Sequence, residues 1–245
     1  MSGEQIKLAL TNNLTKSLGF NAYQLFSVDS EQGRQDCLHE LNRHYGPDFL
    51  IDLLEKSADL IQAQVLNISQ ELYTPHGTSV TILVAEQRNT ILGHLDKSHL
   101  TVHTYADLHL NHDICSFRLD FDLASCGQVT PLTTLPLLFD RVVCHLATID
   151  YRIRGYGRDG DERLVFNDES ISSILEYVPG EYLTRYDYCD ANVPAHNLYH
   201  SKMVLREGEM DQQLASPAKM GSTRTIGARR SQRLQEQMGL LFRGL

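Results

Sequence analysis

The clearest local pattern in the chain is the strict alternation of apolar and charged side chains over residues 117–123, which predicts a half-buried strand. Leucine-rich, β-branched or alternating runs predict further strands in five segments: 8–26, 80–85, 100–105, 149–153 and 198–205. Apolar side chains at helical spacing predict helices in four segments: 34–45, 47–63, 135–146 and 168–175. Helices thus fall between some of the strands, which favours an α+β fold with helices on one face of a mainly antiparallel sheet.

Capping patterns suggest where two of these helices begin. The helix that ends near residue 146 starts either at Pro131, after the capping hydroxyl of Thr130, or at Pro136, because proline is tolerated only in the first turn. Asp168 is expected to cap the helix that runs through residue 175. The sequence Pro-His-Gly at 75–77 predicts a turn.

Composition and charge exclude several classes of protein. The chain has 245 residues, of which 42% are hydrophobic, and a formal net charge of −9. These values are typical of a globular protein that folds without a disulfide or metal staple. The chain lacks both an overall basic charge and a membrane-length apolar run, so we expect neither nucleic acid nor membrane as a partner. The first residues lack the apolar core of a signal peptide, which predicts a cytoplasmic location.

A change in composition near residue 210 divides the chain into two parts. Residues 1–209 contain all of the strands and helices predicted above and form the expected folded domain. Residues 210–245 are basic, and their first half is rich in Ser, Gly and Thr, which predicts a solvated, flexible tail. A short amphipathic helix over 234–242 is predicted at its end.

The densest group of chemically active side chains lies at 94–105, where three histidines accompany Ser98. In an extended strand His99 and His103 share one face, and Ser98 lies on the other. The residues alone leave three interpretations open. They are a metal site built from His94, His99 and His103, a serine nucleophile with a histidine base, and a strand edge whose histidines are only structural.

Cys126 is the cysteine whose position is least typical of a buried filler. The five cysteines include no Cys-X-X-Cys pair, which argues against a metal knuckle or a disulfide framework. Strand alternation places Cys126 in phase with Asp120 and Asp122, off the core face. A free cysteine is usually buried, so this position favours a reactive thiol at Cys126. The alternative is a cysteine that only fills space at the strand end. Cys144 follows the apolar stripe of its predicted helix and is expected in the core.

Residues 93–105, Gly-His-Leu-Asp-Lys-Ser-His-Leu-Thr-Val-His-Thr-Tyr, closely resemble the self-cleavage site of S-adenosylmethionine decarboxylase proenzymes of the longer bacterial type. Further segments are similar to that family in the same order: 12–18, 77–84, 126–127, 148–155 and 200–203. The resemblance covers about 6–209 and leaves out the basic tail. It implies that 1–209 is a catalytic domain with a two-layer α/β sandwich fold.

The resemblance also implies a covalently bound pyruvoyl group that the chain makes from itself. Ser98 Oγ would attack the carbonyl carbon of Lys97, and β-elimination followed by hydrolysis would leave pyruvoyl at position 98. The products would be a short chain of residues 1–97 and a long chain of residues 98–245. His103 matches the family's processing base. Ser79 matches a serine that assists the processing.

The reaction that the resemblance implies is decarboxylation of S-adenosylmethionine, whose product serves spermidine synthesis. The pyruvoyl ketone would form a Schiff base with the substrate amino group and act as the electron sink. Cys126 matches the family's proton donor to the resulting carbanion. Asp107 stands where the family typically has a glutamate that binds the ribose hydroxyls, and Ala106 stands where it often has proline.

The same resemblance implies an oligomer of processed heterodimers and a divalent cation, usually magnesium, whose ligands the sequence does not identify. The shorter acid at Asp107 keeps a pyruvoyl-dependent arginine or ornithine decarboxylase as the nearest alternative. A non-enzymatic regulator that no longer cleaves is disfavoured by the complete set of matching residues, which are Ser79, Ser98, His103 and Cys126. Because the tail lies outside the resemblance, we expect it to be dispensable for the chemistry.

Overall fold

The computed structural model describes residues 14–28, 30–86, 98–107, 114–126, 128–206, 209, 236, 238–240 and 242–243. In the first half of this described part the elements are β1 (Thr15–Ser27), α1 (Glu31–His44), α2 (Pro47–Leu60), β2 (Ala63–Leu72), β3 (Thr78–Glu86), β4 (His99–Asp107) and β5 (Ile114–Ser125). They are followed by α3 (Leu135–Arg141), β6 (Leu146–Arg154), β7 (Gly157–Arg158), β8 (Leu164–Val165), α4 (Gly180–Leu183), β9 (Tyr186–Asp190) and β10 (Leu198–Leu205). Three 3-10 turns complete the described elements: Pro131–Thr134, Ile174–Tyr177 and Pro194–His196.

Eight strands form one sheet in the order β2-β3-β4-β5-β1-β6-β10-β9, and all of its described pairs are antiparallel. The other two described strands, β7 and β8, pair only with each other. Helices α1, α2 and α3 pack on one face of the large sheet. The structure therefore confirms the predicted α+β fold, with one layer of helices on an antiparallel sheet.

The predicted alternation decides which face of the sheet is buried. Along β5, Phe117, Leu119, Phe121 and Leu123 are each at most 1% exposed, and the charged residues between them point the other way. We call the side toward the helices the core face and the opposite side the open face. Tyr45, at the end of α1, stacks on Phe117 with ring centroids 5.1 Å apart, which joins the helix layer to the sheet.

Most predicted elements are confirmed, but the helix expected over 135–146 ends earlier. Thr130 caps a 3-10 turn, α3 follows with Pro136 in its first turn, and the helix stops at Arg141. Beyond it the backbone turns to β1 and α1: His145 N donates to Tyr23 O at 2.9 Å, and Val143 N donates to the hydroxyl of Tyr45. These tertiary hydrogen bonds compete with helix continuation. Cys144 is buried in the core, as expected.

The helix expected to begin at Asp168 was predicted wrongly. The only helical turn there, Ile174–Tyr177, is 3-10 in form, and the hydroxyl of Ser173 caps it by accepting from Leu175 N at 3.0 Å. The Asp168 carboxylate instead lies 3.0 Å from Lys16 Nζ, in a buried ion pair. A long-range charge interaction has therefore replaced the local cap that the sequence favoured.

Strand β2 was not predicted, although the turn that follows it was. The residues of β2 are almost all exposed, because it is an edge strand, so it lacks an apolar periodicity. The turn at 75–77 joins β2 to β3, and Gly77 there has a φ of 120°, at which a side chain is strained. A Cβ at this position would also lie 2.9 Å from Thr104 O.

The described residues at the end of the chain contact the sheet, so the prediction of a solvated tail is wrong for them, while most of residues 210–245 lie outside the described residues. Helical residues occur among the described positions 236–243, close to the predicted helix over 234–242. Met238 is only 1% exposed, and Lys202 Nζ on β10 donates to Phe242 O at 3.1 Å. In the part of the chain that the structure describes, no helix is long and apolar enough to cross a membrane.

His145 should make the stability of the protein sensitive to acid. It is fully buried, its Nδ1 accepts from Leu25 N at 3.0 Å, and burial lowers its pKa to about 4. Between pH 6.5 and about 4 the unfolded chain protonates this imidazole and the folded protein does not, so stability falls as the pH falls. The loss attributable to this group is about 3 kcal/mol at pH 4.

Replacing His145 with asparagine, whose amide oxygen stands at the place of Nδ1 and can still accept from Leu25 N, should flatten this dependence. The measurement is urea unfolding of both proteins between pH 4 and 7.5. His39→Asn, at an exposed position on α1, is the control and should keep the wild-type slope. Equal slopes for His145→Asn and wild type would contradict the assignment.

Met238→Asp should lower the free energy of unfolding by more than ~2 kcal/mol, because it places a charge where the side chain is buried. The matched control is Leu240→Asp, two positions along and 41% exposed, which should cost little. Chemical denaturation compares the two variants. If both unfold alike, the chain end does not pack on the sheet in solution. The expectation that the tail is dispensable for chemistry predicts unchanged turnover in any variant that stays folded.

Candidate active site

Ser79 and His103 are direct partners across the β3–β4 pair, and both lie on the open face. On the other side of His103, the register of β4 with β5 makes Asp120 its partner. Side chains directly opposite on neighbouring antiparallel strands have Cβ atoms only about 5 Å apart. A hydroxyl, an imidazole and a carboxylate therefore form a row across three strands, which we call the His103 row.

Burial and neighbouring charges act on the Asp120 carboxylate in this row. Burial raises the pKa of Asp120, while Arg118, whose guanidinium lies 2.9 Å from the carboxylate, and His103 act in the opposite direction. Arg118 also stacks over the ring of Tyr105, with 4.5 Å between Cζ and the ring centroid. The carboxylate beside His103 is thus fixed in place by a cation, which suits a group that orients an imidazole.

Ser98 is held from both sides where the chain enters β4. Its hydroxyl oxygen accepts a hydrogen bond from Cys126 N at 3.2 Å, and its carbonyl oxygen accepts one from Val84 N at 3.1 Å. The residue is 2% exposed, on the core side as the alternation predicted. A serine that must attack its own preceding carbonyl needs this kind of fixed, desolvated position.

Cys126 is half-buried and lies directly after β5, next to Ser98. Its Sγ lies 3.5 Å from the hydroxyl oxygen of Thr15 on β1. Cys37, Cys115 and Cys144 are buried, and Cys189 is exposed. Burial raises the pKa of Cys144, which suits an inert core residue. Cys126 is therefore the thiol that combines partial access with a neighbouring buried serine, Ser98.

The expected contact between His103 and Ser98 does not occur within a single chain. Ser98 and His103 are five residues apart along extended backbone, a distance of about 16 Å between Cα atoms. An imidazole cannot span this distance to remove the α-proton of Ser98. Within one copy, the candidate site residues therefore form two separate groups, which we call half-sites. They are Ser98 with Cys126, and the His103 row that includes Ser79.

A depression of about 520 Å³ lies in the open face close to His99, the first residue of β4. Carboxylates and guanidinium groups line it from β5 and β6: Asp122, Asp150, Arg152 and Arg154. Burial raises the pKa of Asp122, against the opposing charges of His103 and His99. The volume suits a small-molecule ligand, and the mixed charges suit one that carries both a carboxylate and a cationic group.

Some predicted site residues lie outside the described residues. They are Lys97, the residue before the predicted cleavage point, and His94, a candidate metal ligand. Asp107 ends β4, but only its backbone is described. Among the described residues, no group of three or more His, Cys, Asp or Glu side chains is arranged to hold a metal ion.

Comparison with known proteins identifies the family of the chain. A family model described as S-adenosylmethionine decarboxylase matches residues 38–154, a span that includes both half-sites. An S-adenosylmethionine decarboxylase proenzyme of Clostridium perfringens is 40% identical over 83% of this chain and 83% of its own length. The chain belongs to the S-adenosylmethionine decarboxylase family.

Two further bacterial relatives carry the same name. The proenzyme of Chromohalobacter salexigens is 38% identical over 90% of this chain and 88% of its own length. That of Hahella chejuensis is 35% identical over 98% of this chain and 97% of its own length, so the similarity continues through most of the basic tail. A crystal structure of the Aquifex aeolicus adenosylmethionine decarboxylase aligns with 66% of this chain and all of that one, at 14% identity and a TM-score of 0.32. That similarity is too distant to carry structural weight.

Three residues near the two half-sites of this family member were not singled out from the sequence. Asp120 was used only to define the strand phase, although its place in the alternating strand puts it on the same face as Cys126. Thr15 and Lys16 lie in a segment that resembles the family, but nothing local marks them as neighbours of Cys126. Their proximity follows from the pairing of β1 with β5.

Proposed function

We propose that this protein is a pyruvoyl-dependent S-adenosylmethionine decarboxylase that makes its cofactor from Ser98. The observation that carries the proposal is the contact between the buried Ser98 hydroxyl and the backbone N–H of Cys126. It places a serine suited to self-cleavage beside a half-buried thiol suited to proton transfer. Membership of the family supports the same reading.

The residues present fit a pyruvoyl group at position 98. When formed, that group supplies an electron sink for loss of carbon dioxide from an amino acid. The Cys126 thiol lies next to this position and holds a proton for the substrate Cα after decarboxylation. The backbone N–H of Cys126, which now donates to Ser98 Oγ, remains available as a donor to an oxygen at the same place.

We propose that a second copy of the chain completes the site. Self-cleavage needs a base at the Ser98 α-proton, and His103 of the same chain is about 16 Å away along its strand. If two open faces pack together antiparallel, the His103 row of one copy can lie over Ser98 and Cys126 of the other. Ser79 would then donate a hydrogen bond to the rearranging carbonyl oxygen. The predicted oligomer of processed heterodimers would thus be required for chemistry.

The depression beside β4 is the substrate site that we propose. S-adenosylmethionine carries a sulfonium and an ammonium group, which suit the carboxylates of Asp122 and Asp150, and a carboxylate, which suits Arg152. Asp107 ends β4 eight residues after His99, about 26 Å away along extended backbone. As the candidate for the ribose hydroxyls it would therefore have to come from the second copy of the chain. Magnesium stays a prediction from the resemblance. The proposed substrate is a cytoplasmic metabolite, so we propose the cytoplasm as the location.

The second candidate is an arginine or ornithine decarboxylase with the same cofactor, which the shorter acid at Asp107 favours. Isothermal titration with S-adenosylhomocysteine separates the two functions. An S-adenosylmethionine decarboxylase should bind this adenosine-containing ligand, and the ligand should compete with the substrate. An arginine or ornithine decarboxylase should not bind it. A non-enzymatic regulator would remain a single uncut chain.

Self-cleavage should be visible in the intact mass of the purified, denatured protein. We expect two chains, 1–97 and 98–245, the longer of which carries a ketone in place of an N-terminal amine. Ser98→Ala should remain one chain, because it lacks the attacking hydroxyl. Cys126→Ala should still cleave but lose at least 100-fold in kcat, because a general acid contributes about that much. An uncut wild-type chain would overturn the proposed function.

Co-expression of two inactive variants tests the shared site. Ser98→Ala and His103→Ala, carrying different tags, should each stay uncut when expressed alone. In mixed oligomers the His103→Ala chain retains Ser98 and meets the His103 of its partner, so this chain alone should be cleaved. The readout is the mass of each chain after sequential purification on both tags.

The tandem purification also shows that mixed oligomers have formed. Two differently tagged His103→Ala chains are the control and should remain uncut. If the doubly purified Ser98→Ala and His103→Ala oligomers contain only intact chains, the base is not supplied by a second copy.

A further inference from the structure

We infer that a buried ionic cluster holds the loop that carries Cys126, and that Lys16 and Glu169 are positioning residues for proton transfer. The cluster consists of Lys16, Asp168, Glu169 and Tyr151, and lies on the core side of the sheet behind Cys126. The catalytic part of this inference rests on the proposed function, whereas the structural part concerns only how Cys126, Gln128 and Thr130 are held.

The first tether of the loop is Lys16. Its side chain is 1% exposed, and its Nζ donates to the carbonyl oxygen of Gln128 at 3.1 Å. The same nitrogen lies 3.0 Å from a carboxylate oxygen of Asp168 and 2.6 Å from one of Glu169. Those carboxylates are 8% and 11% exposed, so the ammonium group is fixed by two buried charges.

The second tether reaches the loop through Tyr151. Its hydroxyl donates to the other carboxylate oxygen of Glu169 at 2.8 Å, and lies 3.2 Å from Thr130 Oγ1. Because the phenol proton is used on the carboxylate, the Thr130 hydroxyl donates to Tyr151. Burial and the Glu169 charge raise the pKa of Tyr151, so it keeps this proton. Glu169 therefore anchors the loop at Gln128 and Thr130 at once.

Two neighbouring residues of β1 contact the thiol and the backbone that follows it, from opposite faces of the sheet. Thr15 points to the open face, and its Oγ1 lies 3.5 Å from Cys126 Sγ. Lys16 points to the core face and holds the backbone two residues beyond Cys126. Antiparallel pairing makes this possible, because Lys16 is the partner of Ser125 on β5. The thiol and its loop are thus fixed by one dipeptide.

This cluster is expected to contribute little to the free energy of unfolding. Buried ion pairs often contribute little net stability, because desolvation offsets the attraction. Its contacts with residues 128 and 130 fit a positioning role better, since misplacing a reacting group by about 1 Å can cost about 100-fold in rate. Loss of the tethers should therefore lower kcat and change the reactivity of the thiol, with little effect on KM.

The test removes the charges together, so that no lone charge is left buried. The variant Lys16→Met, Asp168→Asn, Glu169→Gln keeps the side-chain volumes and deletes the hydrogen bond to Gln128. We expect it to fold and self-cleave, with kcat lowered at least 10-fold and KM changed less than twofold. We also expect iodoacetamide to alkylate Cys126 at least threefold faster, measured by peptide mass spectrometry, with exposed Cys189 as the internal reference.

A matched control removes an ion pair of the same types from the surface. Lys56→Met breaks the pair with Asp52, whose side chains are 48% and 42% exposed, and should leave every readout at the wild-type value. If the triple variant does not fold, Tyr151→Phe deletes the tether to Thr130 together with the hydrogen bond to Glu169, and should lower kcat about threefold at unchanged KM.

Alkylation separates this inference from the proposed function. Unchanged alkylation of Cys126 in a folded triple variant, or in Tyr151→Phe if the triple variant does not fold, would overturn the inference, whatever the substrate proves to be. Faster alkylation would support the structural inference even if wild type did not decarboxylate S-adenosylmethionine. Faster alkylation with unchanged kcat in an active enzyme would overturn the positioning role.

Discussion

The register of the antiparallel sheet is the constraint on which the rest of the structure depends. Side chains alternate between the two faces, so pairing β4 with β3 and β5 fixes which residues meet the helices and which meet the solvent side. Leu100 and Val102 enter the core, and His103 is thereby placed on the open face between Ser79 and Asp120. A shift of the register by one residue would bury the imidazole of His103 and expose the side chain of Leu100. The free-energy cost of this exchange prevents the shift. The same hydrophobic burial that folds the chain therefore assembles the His103 row.

An extended strand is also rigid, and this sets a limit on what one chain can do. Ser98 and His103 are close in sequence, yet the strand holds them about 16 Å apart. A helix or loop could bring such neighbours together, but the middle of an eight-stranded sheet cannot bend enough. Under the proposed function, the chemistry of these residues needs a second copy of the chain, and the open face with its polar side chains is the surface that we propose for the contact. The strand pairing that stabilises the sheet is then also what separates the two half-sites.

Strand β1 presents neighbouring side chains to the two faces of the sheet beside the Cys126 thiol. It lies between β5 and β6, so Thr15 and Lys16 can reach Cys126, Gln128 and, through Glu169, Tyr151. The charged residues concerned are nearly excluded from solvent, where an unpaired charge would be very costly. Each therefore has partners, and these partners include the backbone of the loop that carries the thiol. Other buried polar residues, such as Gln24, Arg34 and His145, lie elsewhere in the fold, so what distinguishes this cluster is its contact with the backbone that follows the thiol.

The sequence by itself determined the antiparallel sheet with its helix layer, because apolar periodicity records directly which face of each element is buried. It also singled out Ser98, His103, Cys126 and Ser79 through their resemblance to one family. It missed the exposed edge strand β2 and extended α3 too far, since neither an edge strand nor a helix end set by tertiary hydrogen bonds leaves a periodic signal. Only the tertiary structure decided that Ser98 meets Cys126 but not His103, and that Asp168 pairs with Lys16 instead of capping a helix. Such contacts join residues far apart in the chain, and their free energy depends on strand pairing that no local pattern encodes.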